Sequence, residues 1–142
     1  MTNAKLAVEL RLDDSYERAL ERVADVLKKR GFGILTRIDV RETLRERLGV
    51  DFRPYAILGA CNPKLANRAL SSRADVGLLL PCNVTVEAAE GGGSIVRIAD
   101  PDVMLGVGGF EDDAEVRAVA DEARALLTDA AAELSGFRGH DA

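Results

Sequence analysis

The sequence predicts an α+β domain, a two-layer sandwich with a mainly antiparallel sheet of about five strands and its helices on one face. Three observations predict it. Segments whose apolar residues recur every second position alternate with segments whose apolar residues recur at helical spacing. The apolar runs at 82–88 and 94–99 are joined by Glu90-Gly91-Gly92-Gly93, a connection short enough to favour a hairpin and hence antiparallel pairing. A long amphipathic segment follows the last strand. The order is strand, helix, strand, short helix, strand, helix, hairpin, long helix, which is β-α-β4-α-like with short helical insertions.

The elements follow in chain order. Residues 5–12 set Leu6, Val8, Leu10 and Leu12 against Lys5, Glu9 and Arg11, the alternation of a half-buried strand. Asp14 with Glu17 has capping-box spacing, and Tyr16, Leu20, Val23 and Leu27 form one face of the helix behind it. Lys28, Lys29 and Arg30 suit its negative end, and Gly31 suits its exit. Residues 32–38 read as the second strand. Asp39 with Glu42 repeats the capping spacing and opens a short helix carrying Val40, Leu44 and Leu48, closed by Gly49. Residues 55–60 form a short apolar strand. Asn62 is a good N-cap and Pro63 a good first helical residue, so a helix is expected over 63–72, burying Leu65, Ala69 and Leu70. Asp75–Leu80 is apolar but too short to classify, and Pro81 interrupts it. In the hairpin, Val84 and Val86 are expected to face Ile95 and Ile98. Asp100-Pro101 ends it, and Gly106, Gly108 and Gly109 read as a loop. The last helix is expected over 112–135, with Val116, Val119, Ala123, Leu126, Ala130 and Leu134 as its buried stripe.

The chain has 142 residues, 47% hydrophobic and 30% charged, which fits one globular domain over 1–142, ordered over about 4–136 with a mobile tail at 137–142. The net charge of -5 is unevenly spread: residues 28–73 carry eleven bases against four acids, and residues 111–142 carry nine acids against three bases. An acidic chain with 4% aromatic residues is not expected to bind nucleic acid. No window is apolar enough to span a bilayer, so no membrane association is expected. The N-terminal residues lack an apolar stretch behind a basic start, which points to the cytoplasm. Two cysteines are too few for a disulfide framework, and a cytoplasmic protein keeps them reduced.

Few residues offer chemistry. Cys61-Asn62-Pro63 sits where a strand meets a helix, and backbone N–H groups with the helix dipole there favour a thiolate. The bland alternative is a small buried hydrophobe. Cys82 starts a strand, and each cysteine is followed by an asparagine, Asn62 and Asn83. Were their strands adjacent, the thiols would form a redox pair or two ligands of a soft metal ion, although a zinc centre needs four ligands. His140 is the single histidine and stands near the end, so histidine-based triads and histidine metal clusters are not expected. Gly31-Phe32-Gly33 precedes a strand rather than a helix, opposite to a dinucleotide fingerprint. Gly106-Val107-Gly108-Gly109 precedes a helix whose start carries Glu111, Asp112 and Asp113, which repel a phosphate. Those acids with Asp100 and Asp102 lack EF-hand spacing and read as turn and cap residues. Arg37, Arg53, Lys64 and Arg68 face either an anion near the third helix or, as surface residues, the solvent.

The segments Gly31-Phe32-Gly33-Ile34-Leu35-Thr36-Arg37-Ile38-Asp39, Ala60-Cys61-Asn62-Pro63-Lys64 and Leu80-Pro81-Cys82-Asn83-Val84 together resemble the prokaryotic family known as domain of unknown function 302. The resemblance runs over roughly residues 5–135. It implies a TATA-binding-protein-like topology and a homodimer; it implies no activity, and that topology does not entail DNA binding. The expectation is therefore a homodimeric module that binds a small ligand between the sheet and the long helix, or an interaction module, rather than an enzyme. The alternative is a thiol-dependent redox or soft-metal-binding protein. Candidate ligand-binding residues are Cys61, Asn62, Lys64, Cys82 and Asn83, with Cys61 and Cys82 as the metal ligands if there is a metal. No catalytic residue and no organic cofactor are expected.

Overall fold

The computed structural model describes residues 2–3 and 6–136. Its strands are β1 (Thr2–Asn3), β2 (Ala7–Leu12), β3 (Gly33–Asp39), β4 (Tyr55–Cys61), β5 (Cys82–Ala88) and β6 (Ser94–Ala99). Its helices are α1 (Tyr16–Lys28), α2 (Val40–Leu48), α3 (Pro63–Ser72), α4 (Pro101–Val107) and α5 (Ala114–Leu134). The sheet order is β1-β2-β6-β5-β4-β3 and every pairing is antiparallel. Thus α1 carries the chain from β2 across to the far edge, and β3 to β6 step back until β6 lies beside β2. Five strands make up the body of the sheet, with the two-residue β1 on one edge.

The register sorts side chains by parity. Leu10 and Leu12 of β2, Ala56, Leu58 and Ala60 of β4, Val84 and Val86 of β5, and Val96 and Ile98 of β6 are all buried in one core with α1, α3 and α5. α1 contributes Ala19, Val23, Val26 and Leu27, with Tyr16 and Leu20 packed at the margin. α5 contributes Val116, Val119, Ala123, Leu127, Ala130, Ala131 and Leu134. Leu127 rather than Leu126 continues the α5 stripe, because Leu126 is only partly buried. α2 buries none of its residues, and Leu48 is exposed. Leu70, expected inside, is 41% exposed.

Caps account for the helix boundaries. α1 is capped by Ser15, whose hydroxyl accepts from the Arg18 N–H, and not by Asp14. Asp14 instead accepts from Arg22 at 2.6 Å. The exit of α1 is tied by Gly31 donating to the Lys28 carbonyl and Phe32 to the Leu27 carbonyl, with Gly31 at φ 84°. Asp39 caps α2 and left-handed Gly49 ends it. Asp75–Leu80 resolves into a 3-10 turn over Ala74–Leu79. α4 was not anticipated: Gly106 hides its short helix, yet Asp100 caps it and Pro101 starts it, the same pair of signals that opens α3. In the hairpin Val84 lies opposite Ile98 and Val86 opposite Val96, so Ile95 faces Glu87 on the other side of the sheet.

That other side carries a four-residue ionic ladder. Arg97 donates from Nε to Glu9 at 2.7 Å and from Nη1 to Glu87, and Arg53 donates to the second oxygen of Glu87 at 2.8 Å. Glu87 is 5% exposed. Burial raises its pKa, but hydrogen bonds and charges from Arg97 and Arg53 more than offset this and hold it below the ordinary value. A depressed folded-state pKa means stability present above the unfolded value near 4.5 and lost as pH falls through the folded one. Glu87→Gln should therefore cost about 1.5–3 kcal/mol at neutral pH. In urea titrations this difference should shrink on acidification; an equal loss at neutral and strongly acidic pH would refute the assignment.

Gly59 lies in the middle of β4 because the backbone is crowded there. A Cβ would fall 2.3 Å from Thr36 Oγ1 and 2.7 Å from Pro81 Cγ. Thr36 can rotate, whereas the Pro81 ring cannot. Gly59→Ala should destabilise by about 1–3 kcal/mol, and Thr36→Ala should not restore the loss. Full rescue by Thr36→Ala, measured as a denaturation midpoint, would show that Pro81 does not constrain β4.

Candidate functional site

Two strand-to-helix junctions meet at one end of the sheet. β4 ends at Cys61, and the Asn62 side chain accepts from the Leu65 N–H at 3.3 Å to start α3. β6 ends at Ala99, and Asp100 accepts from the Asp102 N–H at 2.9 Å to start α4. Ala60 opposite Cys82 and Val84 opposite Ile98 bring both junctions to the start of β5. The Asn62 amide also donates to the Arg30 carbonyl at 3.4 Å, which fastens the start of α3 to the end of α1.

A cavity of about 310 Å³ occupies this end; α3, α4 and α5 border it on the covered face of the sheet, and Tyr55, Thr85 and Arg97, which belong to the opposite face, border it too. Its wall is mostly apolar, including Phe32, Leu65, Leu79, Leu105 and Val119. Much of the rest is alanine: Ala60 and Ala99 from strand ends, Ala66 from α3, Ala120 and Ala123 from α5. Small side chains facing one another across two layers leave space that larger ones would fill. Among the described residues no Asp, Glu or Lys borders the cavity, and Arg97 is the one ionised side chain that does.

The residues singled out from sequence fall on both sides of this boundary. Cys61, Asn62, Cys82 and Asn83 line the cavity; Lys64 is exposed on the first turn of α3 and does not. Both cysteines are free and half-buried. Cys82 lies opposite Ala60, one position from Cys61, so strand alternation directs the two side chains to opposite faces. Burial pushes the Cys82 thiol up, and the neighbouring Cys61 adds to this. Among the described residues no three His, Cys, Asp or Glu side chains gather as a metal site. Arg53 is committed to Glu87, and Arg68 to Glu115 at 2.7 Å and Glu122 at 2.6 Å. Arg37 is exposed on β3. The acidic group is divided: Asp100 and Asp102 meet Arg124, while Asp113 caps α5 and accepts from Ser72. His140 lies outside the described residues.

Sequence reasoning missed Thr85, Arg97, Tyr55 and the alanines of α5. A signal for the first two was present. Thr85 and Glu87 alternate with Val84 and Val86, and Arg97 alternates with Val96 and Ile98, which assigns them to a face that the helices do not cover. Thr85 Oγ1 is buried and has no hydrogen-bond partner. An unsatisfied buried hydroxyl costs about 1–3 kcal/mol, so it calls for a partner.

Comparison with known proteins sets this site in a family. No curated protein matches the chain. A solved structure described as the crystal structure of uncharacterized conserved protein DUF302 from Bacillus stearothermophilus is 29% identical and superposes with a TM-score of 0.81. The match covers 92% of this chain and 99% of that one. The family model described as domain of unknown function DUF302 matches residues 8–134, from within β2 to the end of α5. The chain belongs to the DUF302 family.

Proposed function

We propose that the protein is a homodimeric binding module that holds one small, largely apolar molecule in the cavity between the strand ends and α5. The cavity itself carries this reading. Its volume of about 310 Å³ is at the lower end of the range for small-ligand pockets, and its wall combines apolar surface with a few fixed polar groups. A void of this size forfeits dispersion contacts that close packing would supply, and a bound molecule restores them. Homodimerisation is supported by a separate observation. β3 forms one edge of the sheet, and every side chain on it except Ile34 is exposed, Leu35 at 66%. Leu48 nearby on α2 is 68% exposed. An edge strand of this length with apolar side chains is a template for a second copy.

The thiol reading has one observation in its favour: Cys61, Cys82 and the thioether of Met104 border the same cavity. A raised Cys82 pKa weighs against it, because thiolate is the reactive and metal-binding form.

Nile red should bind with saturable fluorescence at one molecule per chain and should slow alkylation of Cys61 and Cys82. Ala123→Leu, which fills the cavity, should remove both effects while raising or preserving thermal stability by up to about 1–2 kcal/mol. Rapid alkylation of Cys82 in the free protein, with no protection by Nile red, would favour the thiol reading instead. For the dimer, Leu35→Asp should shift sedimentation equilibrium toward monomer without changing the helical circular dichroism; an unchanged mass would place the interface elsewhere.

A further inference from the structure

A second cavity, of about 240 Å³, lies where α4 and α5 meet beside Phe110. It shares two wall residues with the first, Leu105 of α4 and Ala120 of α5. Helical spacing gives their arrangement. On α5 the first cavity takes Val119, Ala120 and Ala123. The second takes Val116, Arg117 and Ala120, about one turn nearer the start of the helix. On α4, Pro101 and Met104 border the first cavity and Asp102 and Gly106 the second, with Leu105 bordering both. The two spaces therefore follow one another along the α4–α5 contact and are parted at Leu105 and Ala120.

This partition is slight. Leu105 is only partly buried, and with space on both sides its side chain has more than one staggered rotamer open to it. Ala120 has nothing beyond Cβ to close the passage. Met104, next in sequence, is unbranched and adapts to an irregular wall. The far end of the second cavity is polar: Glu111 and Arg117 border it and are both exposed. Asp102 is already paired with Arg124 at 3.0 Å. One acid and one base at that end favour an uncharged head, because a hydroxyl both donates and accepts, whereas a charged head meets a like charge on one side. Resting on the cavity reading above, we infer that the ligand is elongated: an apolar chain that fills the first cavity, passes Leu105 into the second, and ends in an uncharged hydrogen-bonding head beside Glu111 and Arg117, as in a long-chain alcohol.

Straight-chain primary alcohols from hexanol to dodecanol, measured by calorimetry, test this. Affinity should rise about fourfold per methylene along the whole series, the transfer free energy of one buried CH₂. Gly106→Leu obstructs the second cavity alone: Gly106 does not border the first, and a Cβ there meets nothing within 4 Å. Leucine also favours the helix over glycine, so the variant should fold at least as well as the parent. It should leave hexanol binding unchanged and abolish the gain from the longer chains. Leu105→Trp, which thickens the partition, should do the same. Dodecanol should bind tighter than dodecanoate or dodecylamine. A rise that ends at the same chain length in the parent and in Gly106→Leu, an equal loss at every length, or tightest binding of a charged chain would overturn this inference while leaving the cavity reading intact. Binding of no alcohol would overturn it as well, and with Nile red also unbound would overturn both.

Discussion

Burial of one face of the sheet against α1, α3 and α5 is the interaction on which the rest of the structure depends. Because alternate residues of a strand point to opposite faces, fixing Val84, Val86, Val96 and Ile98 inward also fixes Thr85, Glu87 and Arg97 outward. A slip of one residue would carry Glu87 into a layer made of leucine, valine and alanine. The same packing therefore determines the register, the composition of the outer face and the alignment of the ionic ladder across β2, β6 and β5.

The outer face has to satisfy its polar groups by itself. It does so by sharing: each oxygen of Glu87 accepts from a different arginine, and Arg97 spans from Glu87 to Glu9. Such pairing is less a source of net stability than a condition for placing a carboxylate where it is 5% exposed. It also holds Arg97 still. Two anchored nitrogens define the plane of the guanidinium.

The fold was largely legible from the sequence because its signals are local. Asn62-Pro63 predicts the start of α3, and the 82–88 and 94–99 runs match β5 and β6 residue for residue. Errors arose where local signals compete. Asp14 and Ser15 are both good caps, and the demand of Arg22 for a carboxylate decides between them. The exposure of Leu70 and Leu48 depends on what stands opposite, which spacing cannot state. The site was legible in part. Cys61 and Asn62 are marked by the strand-to-helix junction, and Cys82 and Asn83 by the second Cys-Asn pair at the start of a strand. Lys64 was grouped with them by sequence adjacency, yet a residue in the first turn of a helix can point away from the strand it follows. Thr85 and Arg97 went unnoticed because their importance comes from strand pairing, and the strand order was not deducible from spacing alone.

The position of the cavity follows from the same layer packing. Toward its other end the inner layer is filled by Leu10, Leu12, Val86 and Val96, large enough to reach the helices. At the end where β4 and β6 turn into helices, the facing residues are alanines, and Pro63 and Pro101 start α3 and α4 immediately after the strands. Alanine in a helix core lets the helix approach the sheet closely when nothing holds it off. Here α5 is already held along most of its length by Val116, Leu127 and Leu134, so it cannot tilt inward at one point to close the gap. A rigid long helix, fixed by large residues elsewhere and bearing small ones beside the strand ends, bridges the space. The cavity is thus a product of the core's own geometry, and removing it would take a larger side chain at Ala120 or Ala123 rather than a movement of the backbone.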